Sequence, residues 1–165
     1  MRKKKSCDSL RTTTTFLRTL TKKKFSQLGV DDIMTEFFMA MIPPTTTHQE
    51  KQVSVVNGKP VFYEPTELKQ ARAKLEAHLA KYASSNDKYT RGIRLTTKWL
   101  FPIKGKHTNG EYRTTKPDTD NLQKLLKDCM TKVGFWKDDA LVASEIVEKF
   151  WADIPGIYIK IEELG

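Results

Sequence analysis

Cysteine is scarce in this chain: two among 165 residues, Cys7 and Cys129, far apart and neither in a CxxC pair. That spacing excludes a disulfide scaffold and a cysteine-built zinc site. Long apolar runs are missing too. The longest, Phe37 to Ile42, has six residues, far short of the roughly 20 that span a bilayer. No signal-like apolar segment lies near the start. Acidic side chains are almost absent from the first thirty positions, where nine Lys or Arg face Asp8 alone. The apolar content of 38%, with 10% aromatic, is low but enough for a packed core, so disorder throughout is excluded. The length suits one domain. The expectation is a small intracellular protein without membrane attachment.

A net charge of +9 points to nucleic acid until its location is considered. Residues 1–30 carry +8 of it, and residues 31–165 are nearly neutral at +1. Within the body the charges separate again. Lys98 to Lys137 holds nine basic residues and four acids, whereas Asp138 to the end holds two and seven. A basic stretch beside an acidic one suits an anionic polymer meeting a metal site. A solvated mixed surface is the plainer reading.

The chain divides into a basic extension, 1–33, expected to be disordered, and a folded domain, 34–165. Three readings of the extension stand side by side. It is a phosphate-gripping arm, an acid-poor transit peptide, or translated leader ahead of a true start at Met34. For the last, Leu28-Gly29-Val30 can be encoded by a stretch containing a bacterial ribosome-binding sequence.

From Met34 the pattern predicts an α+β fold: a small mixed sheet with two helices packed on one face. Thr35 to Ile42 is apolar on both alternating faces, as a central strand is. Val53–Val56 and Val61–Tyr63 flank Asn57-Gly58, a strong hairpin signal, with Pro60 marking an edge. Thr66 reads as the N-cap of a helix reaching about Ala83, with Leu68, Ala71, Leu75, Leu79 and Tyr82 on one stripe. Ile93, Leu95, Thr97, Trp99 and Phe101 alternate along the next strand. Ala140–Trp151 and Ile157–Ile161 read as a closing pair of strands.

Chemistry concentrates in KPDTDNLQKLLKDCMTKVGFWKDDALVASEIVEK, from Lys116 to Lys149. Leu122, Leu125, Leu126 and Cys129 share one helix face, while Asp120, Lys124 and Asp128 share the opposite one. Asp118 precedes the helix, and Asp138-Asp139 follows Gly134, which would end it. These aspartates reach one point only if the loop after Gly134 folds back. Taken singly, each has an ordinary role. Asp118 or Asp120 could be an N-cap, Asp120 with Gln123 resembles a capping box, and Asp138-Asp139 could be a turn. Taken together, clustered carboxylates repel unless a divalent cation fills the gap. Mg²⁺, with Mn²⁺ as a substitute, needs two or three such ligands because it keeps several waters.

The block KPDTDNLQKLLKD followed by GFWKDD resembles the RusA family of Holliday-junction resolvases. Single elements such as DxD are weak signals; D-x-D-N-L-x-K with a downstream D-D is specific. The resemblance extends loosely over Met34 to Gly165, including the Pro43-Pro44-Thr45 turn. It implies a homodimeric, Mg²⁺-dependent endonuclease that nicks four-way DNA junctions symmetrically in recombination and repair. The family's catalytic aspartates match Asp118, Asp120 and Asp139, and its essential lysine matches Lys124. Asp128 and Asp138 fall on commonly acidic family positions. Residues 1–33 have no counterpart.

The residues support roles of their own. Asp118, Asp120 and Asp139 suit metal ligation. Lys124, among carboxylates, keeps its proton and therefore suits charge stabilisation better than general-base work. PIKGKHTNGEYRTTKP, ahead of the helix, offers Lys104, Lys106, His107, Tyr112, Arg113 and Lys116 for phosphate contact or base stacking. His48 and Gln49 are secondary candidates for contact near a branch point. Three rivals remain: a non-catalytic DNA-binding protein, which leaves the aspartates unexplained; a glycosyltransferase, which lacks its nucleotide-binding βαβ pattern; and a nuclease for flaps or forks.

Overall fold

The computed structural model describes residues 23–25, 32–46, 52–56, 59–83 and 88–165. A five-stranded mixed sheet forms in the order β1-β2-β7-β5-β6. Its strands are β1 (Lys23–Phe25), β2 (Asp32–Ala40), β5 (Ile93–Pro102), β6 (Val142–Ala152) and β7 (Gly156–Glu163). Helices α1 (Thr66–Leu79) and α2 (Thr119–Val133) cover one face. A separate hairpin pairs β3 (Gln52–Val56) with β4 (Lys59–Tyr63), with Val56 opposite Lys59. The Asn57-Gly58 turn itself, like most of the basic extension, lies outside the described residues. β1 falls within that extension and pairs antiparallel with β2, which begins two residues ahead of Met34.

The helix-covered face follows from alternation. Ile93, Leu95, Thr97, Trp99 and Phe101 of β5 are all buried, and the residues between them are not. Register carries the pattern sideways: Trp99 lies beside Ile157, which lies beside Met39. Against this layer α2 sets Leu122, Leu125, Leu126, Cys129 and Met130, and α1 sets Leu68, Leu75 and Leu79, all fully buried. The opposite face carries Arg94, Lys98, Tyr158 and Lys160 and is solvated, as one-sided sheets are. The α+β arrangement with both helices on one face is the expected one.

Three details differ from the sequence expectation. Thr66 is the first helical residue and not the N-cap; Pro65 holds that position, with no side-chain capping bond. Its locked φ suits entry into a helix. The helix also stops at Leu79. A turn then lets Tyr82 stack on Phe37 at 4.3 Å, with its hydroxyl donating to Phe38 O. Finally, β6 and β7 both form but are not neighbours. β5 lies between them, parallel to β6 and antiparallel to β7. Parallel neighbours need a crossover, and here α2 supplies it. At the start of β7, a Cβ on Gly156 would lie 2.1 Å from Phe38 Cζ and 2.7 Å from Met39 O, so only glycine fits.

Candidate active site

Helix α2 is anchored firmly at its C-terminal end. Gly134, at φ 98°, closes it with its N–H bonded to Met130 O and Thr131 O. Phe135 and Trp136 then enter the core, and Trp136 Nε1 donates to Thr131 Oγ1 at 2.7 Å. This pins the point from which Lys137, Asp138 and Asp139 emerge. At the other end Asp118 sits in the N-cap position, but its side chain makes no capping bond. The capping-box reading also fails. Gln123 is buried, and its Oε1 accepts from Thr97 Oγ1 at 2.9 Å. Asp118 and Asp120 are therefore exposed carboxylates that the helix does not use.

The remaining acids divide by partner. Asp138 is a structural cap: its Oδ1 accepts from Ala140 N at 2.9 Å at the start of a 3₁₀ turn, Asp139–Leu141. Asp128 lies 3.8 Å from Arg72 of α1, which also holds Glu64 at 3.1 Å. Asp120, Lys124 and Asp139 are exposed, and among the described residues none of their side chains makes a hydrogen bond or ion pair. Surface carboxylates and a lysine left without partners remain available to a ligand.

A single chain does not bring Asp139 to Asp118 and Asp120. The loop after Gly134 leads directly into β6, whose start pairs with Ile93, while Lys149, seven residues on, pairs with Trp99. Lys149 Nζ also bonds the carbonyl of Pro117, the residue before Asp118. At about 3.3 Å per strand residue, Asp139 and Asp118 are separated by on the order of 20 Å; α2, at about 1.5 Å per residue, gives the same span. Accordingly, no three His, Cys, Asp or Glu side chains cluster as a metal site among the described residues. The Asp118–Asp120 pair on its own fits a hard cation, since Mg²⁺ commonly takes one or two carboxylates together with substrate phosphate.

The loop before α2 folds back on the edge of β6. Gly110 N bonds Trp151 O, Trp151 N bonds Glu111 O and Arg113 N bonds Lys149 O, at 2.8 to 2.9 Å. Three of its proposed DNA-contact residues have internal partners. The Arg113 guanidinium lies 4.0 Å over Phe101 and 4.7 Å over Trp151, and burial lowers its pKa. Tyr112 packs on Phe150 at 4.6 Å and donates to Glu148, which raises the pKa of its phenol. His107 stacks on Trp151 and bonds Glu111. Glu111 is held below the usual carboxylate range, first by the Thr108 backbone N–H and then by His107. Lys104, Lys106 and Lys116 are exposed. His48 and Gln49 lie outside the described residues.

Lys149 escaped the sequence reading. Alternation along β6 puts Glu145, Val147, Lys149 and Trp151 on the helix-covered face, in line with Leu95, Thr97, Trp99 and Phe101. A lysine pointing inward was the available signal.

An endodeoxyribonuclease is what the sequence comparisons define: an enzyme hydrolysing phosphodiester bonds in DNA. Residues 41–162 match the family described as Endodeoxyribonuclease RusA. The crossover junction endodeoxyribonuclease rusA of Lactococcus phage r1t is 30% identical over 129 residues, covering 78% of this chain and 96% of that protein. The chain belongs to the RusA family. No helix among the described residues is long and apolar enough to cross a membrane.

Proposed function

We propose that this chain resolves Holliday junctions as a homodimer, nicking two opposed strands of four-way DNA with Mg²⁺, or Mn²⁺ in its place. The observation that carries this reading is the exposed Asp118–Asp120 pair, unused by its helix and directly following a cationic loop, in a chain of this family. Asp118 and Asp120 would hold the cation. When bound, it neutralises phosphate charge and lowers the pKa of a bound water. Lys104, Lys106 and Lys116 position phosphates. Lys124, one turn beyond Asp120, faces the charge that develops on the phosphate oxygens. The work is done in the cytoplasm of a bacterium or phage-infected cell, on recombining DNA.

The third carboxylate comes from a second copy. β6 is an edge strand, and the 110–113 loop meets that edge at Lys149–Trp151, beyond Ile146, which is 45% exposed. Antiparallel pairing of the two β6 edges about a twofold axis sets the start of one strand beside the end of the other. The partner's Asp139 then approaches Asp118. A C₂ dimer also matches the twofold symmetry of a junction.

The test is cleavage of a labelled immobile four-way junction beside linear duplex and a flap, with Mg²⁺ and with EDTA. Paired nicks in the junction that require Mg²⁺ are expected. Equal cutting of the flap refutes junction specificity, and cutting in EDTA refutes the metal.

A further inference from the structure

Lys149 is an unusual residue for its place. On the helix-covered face of β6, its neighbour across the sheet is Trp99, which is fully buried. Burial lowers its pKa, the nearby Arg113 lowers it further, and Asp118 opposes both. The ammonium is placed by two short bonds. Nζ donates to Pro117 O at 2.7 Å and to Thr115 O at 3.0 Å. Between these carbonyls, Lys116 O accepts from Arg113 Nη2, and Arg113 Nε reaches Thr115 Oγ1 at 3.1 Å. Two cations thus hold three consecutive carbonyls, and the next residue is Asp118. Because the Asp118 side chain takes no bond from its own helix, its position depends on that preceding backbone.

We propose that Lys149 is a positioning residue for Asp118, fixing the Thr115–Pro117 turn so that the Asp118 carboxylate is presented as a ligand. This rests on the reading of Asp118 as a metal ligand. Supports that orient a ligand without touching the metal commonly govern its affinity by about 10- to 100-fold. An inward charge on an edge strand can also serve merely to deter strand addition. That role would leave metal affinity untouched.

The experiment compares full-length wild type, Lys149→Met, Lys149→Arg and Asp118→Asn. It measures Mn²⁺ affinity from the electron paramagnetic resonance of free Mn²⁺, single-turnover junction cleavage against Mn²⁺ concentration, and junction affinity in EDTA. Lys149→Met should weaken Mn²⁺ binding about tenfold or more and shift the cleavage curve to higher Mn²⁺. Its junction affinity in EDTA should change by less than about twofold, since each phosphate cation lost would flatten the salt dependence. Lys149→Arg, which can still donate to two carbonyls, should recover most of the loss. Should the Met variant not fold, Lys149→Gln keeps one donor arm and should fall between wild type and Asp118→Asn. Unchanged Mn²⁺ affinity in the Lys149 variants, with loss in Asp118→Asn, overturns the positioning role alone. Loss of junction affinity with intact Mn²⁺ binding makes Lys149 a phosphate contact instead. Wild-type Mn²⁺ affinity in Asp118→Asn overturns the ligand reading and the positioning role with it.

Discussion

Mixing two inactive variants should restore activity. Asp118 and Asp139 of one chain lie at opposite ends of β6, on the order of 20 Å apart by strand rise. Metal–oxygen bonds are about 2 Å, so one chain cannot place both carboxylates on one ion. If the partner supplies Asp139, an Asp118→Asn homodimer and an Asp139→Asn homodimer are both dead. A heterodimer of the two, however, gathers both substitutions into one site and leaves the other intact. Random mixing makes about half the dimers heterodimers, each with one intact site, so about a quarter of wild-type sites should return. The assay co-expresses the two variants with different tags, isolates doubly tagged protein and scores nicks on each labelled junction strand. Verified heterodimers should nick a single strand. If they stay inactive while binding junctions normally, the site is completed within one chain and the shared-edge dimer is wrong.

Four further outcomes follow from single contacts. Asp118→Asn and Asp120→Asn should each abolish nicking and leave the thermal midpoint unchanged or higher; neither side chain caps the helix, and one charge of a repelling pair is gone. Near-normal nicking by Asp120→Asn would sink its metal role. Arg72→Ala, which removes a partner of Glu64 and of Asp128, should cost about 1 kcal/mol in urea unfolding and spare cleavage per folded molecule. Gly156→Ala should destabilise by about 3 kcal/mol or prevent folding, because the methyl meets the backbone of β2 as well as Phe38; circular dichroism reads it. Burial pushes the Tyr89 phenol and the Cys129 thiol both up to about 12. The unfolded chain ionises these groups first as pH rises, so stability should fall from about pH 9 to about 12, and Tyr89→Phe should flatten the upper part of that decline.

Much of this protein could be read from order along the chain, because burial on one face imposes a period on the residues. The alternation from Ile93 to Phe101 named five inward residues, and the Leu122, Leu125, Leu126, Cys129 stripe named the core face of α2. The pairing of β3 with β4 followed from a local turn signal, and D-x-D-N-L-x-K with the later D-D identified the family. Strand order was a different matter. Nothing local tells β7 to skip β6 and pair with β5, since that choice is made by how the α2 crossover and the sheet bury apolar area together. Side-chain partners are equally non-local. Arg113, Tyr112 and His107 looked like free DNA contacts until Phe101, Phe150 and Trp151 were folded beneath them. Asp138 and Asp139 are adjacent, chemically identical and both exposed, and only the 3₁₀ turn makes one a cap and leaves the other's side chain without a bond among the described residues. Sequence determined which residues are candidates for the chemistry; the length of α2 and the register of β6 decided which of those candidates one chain can bring together.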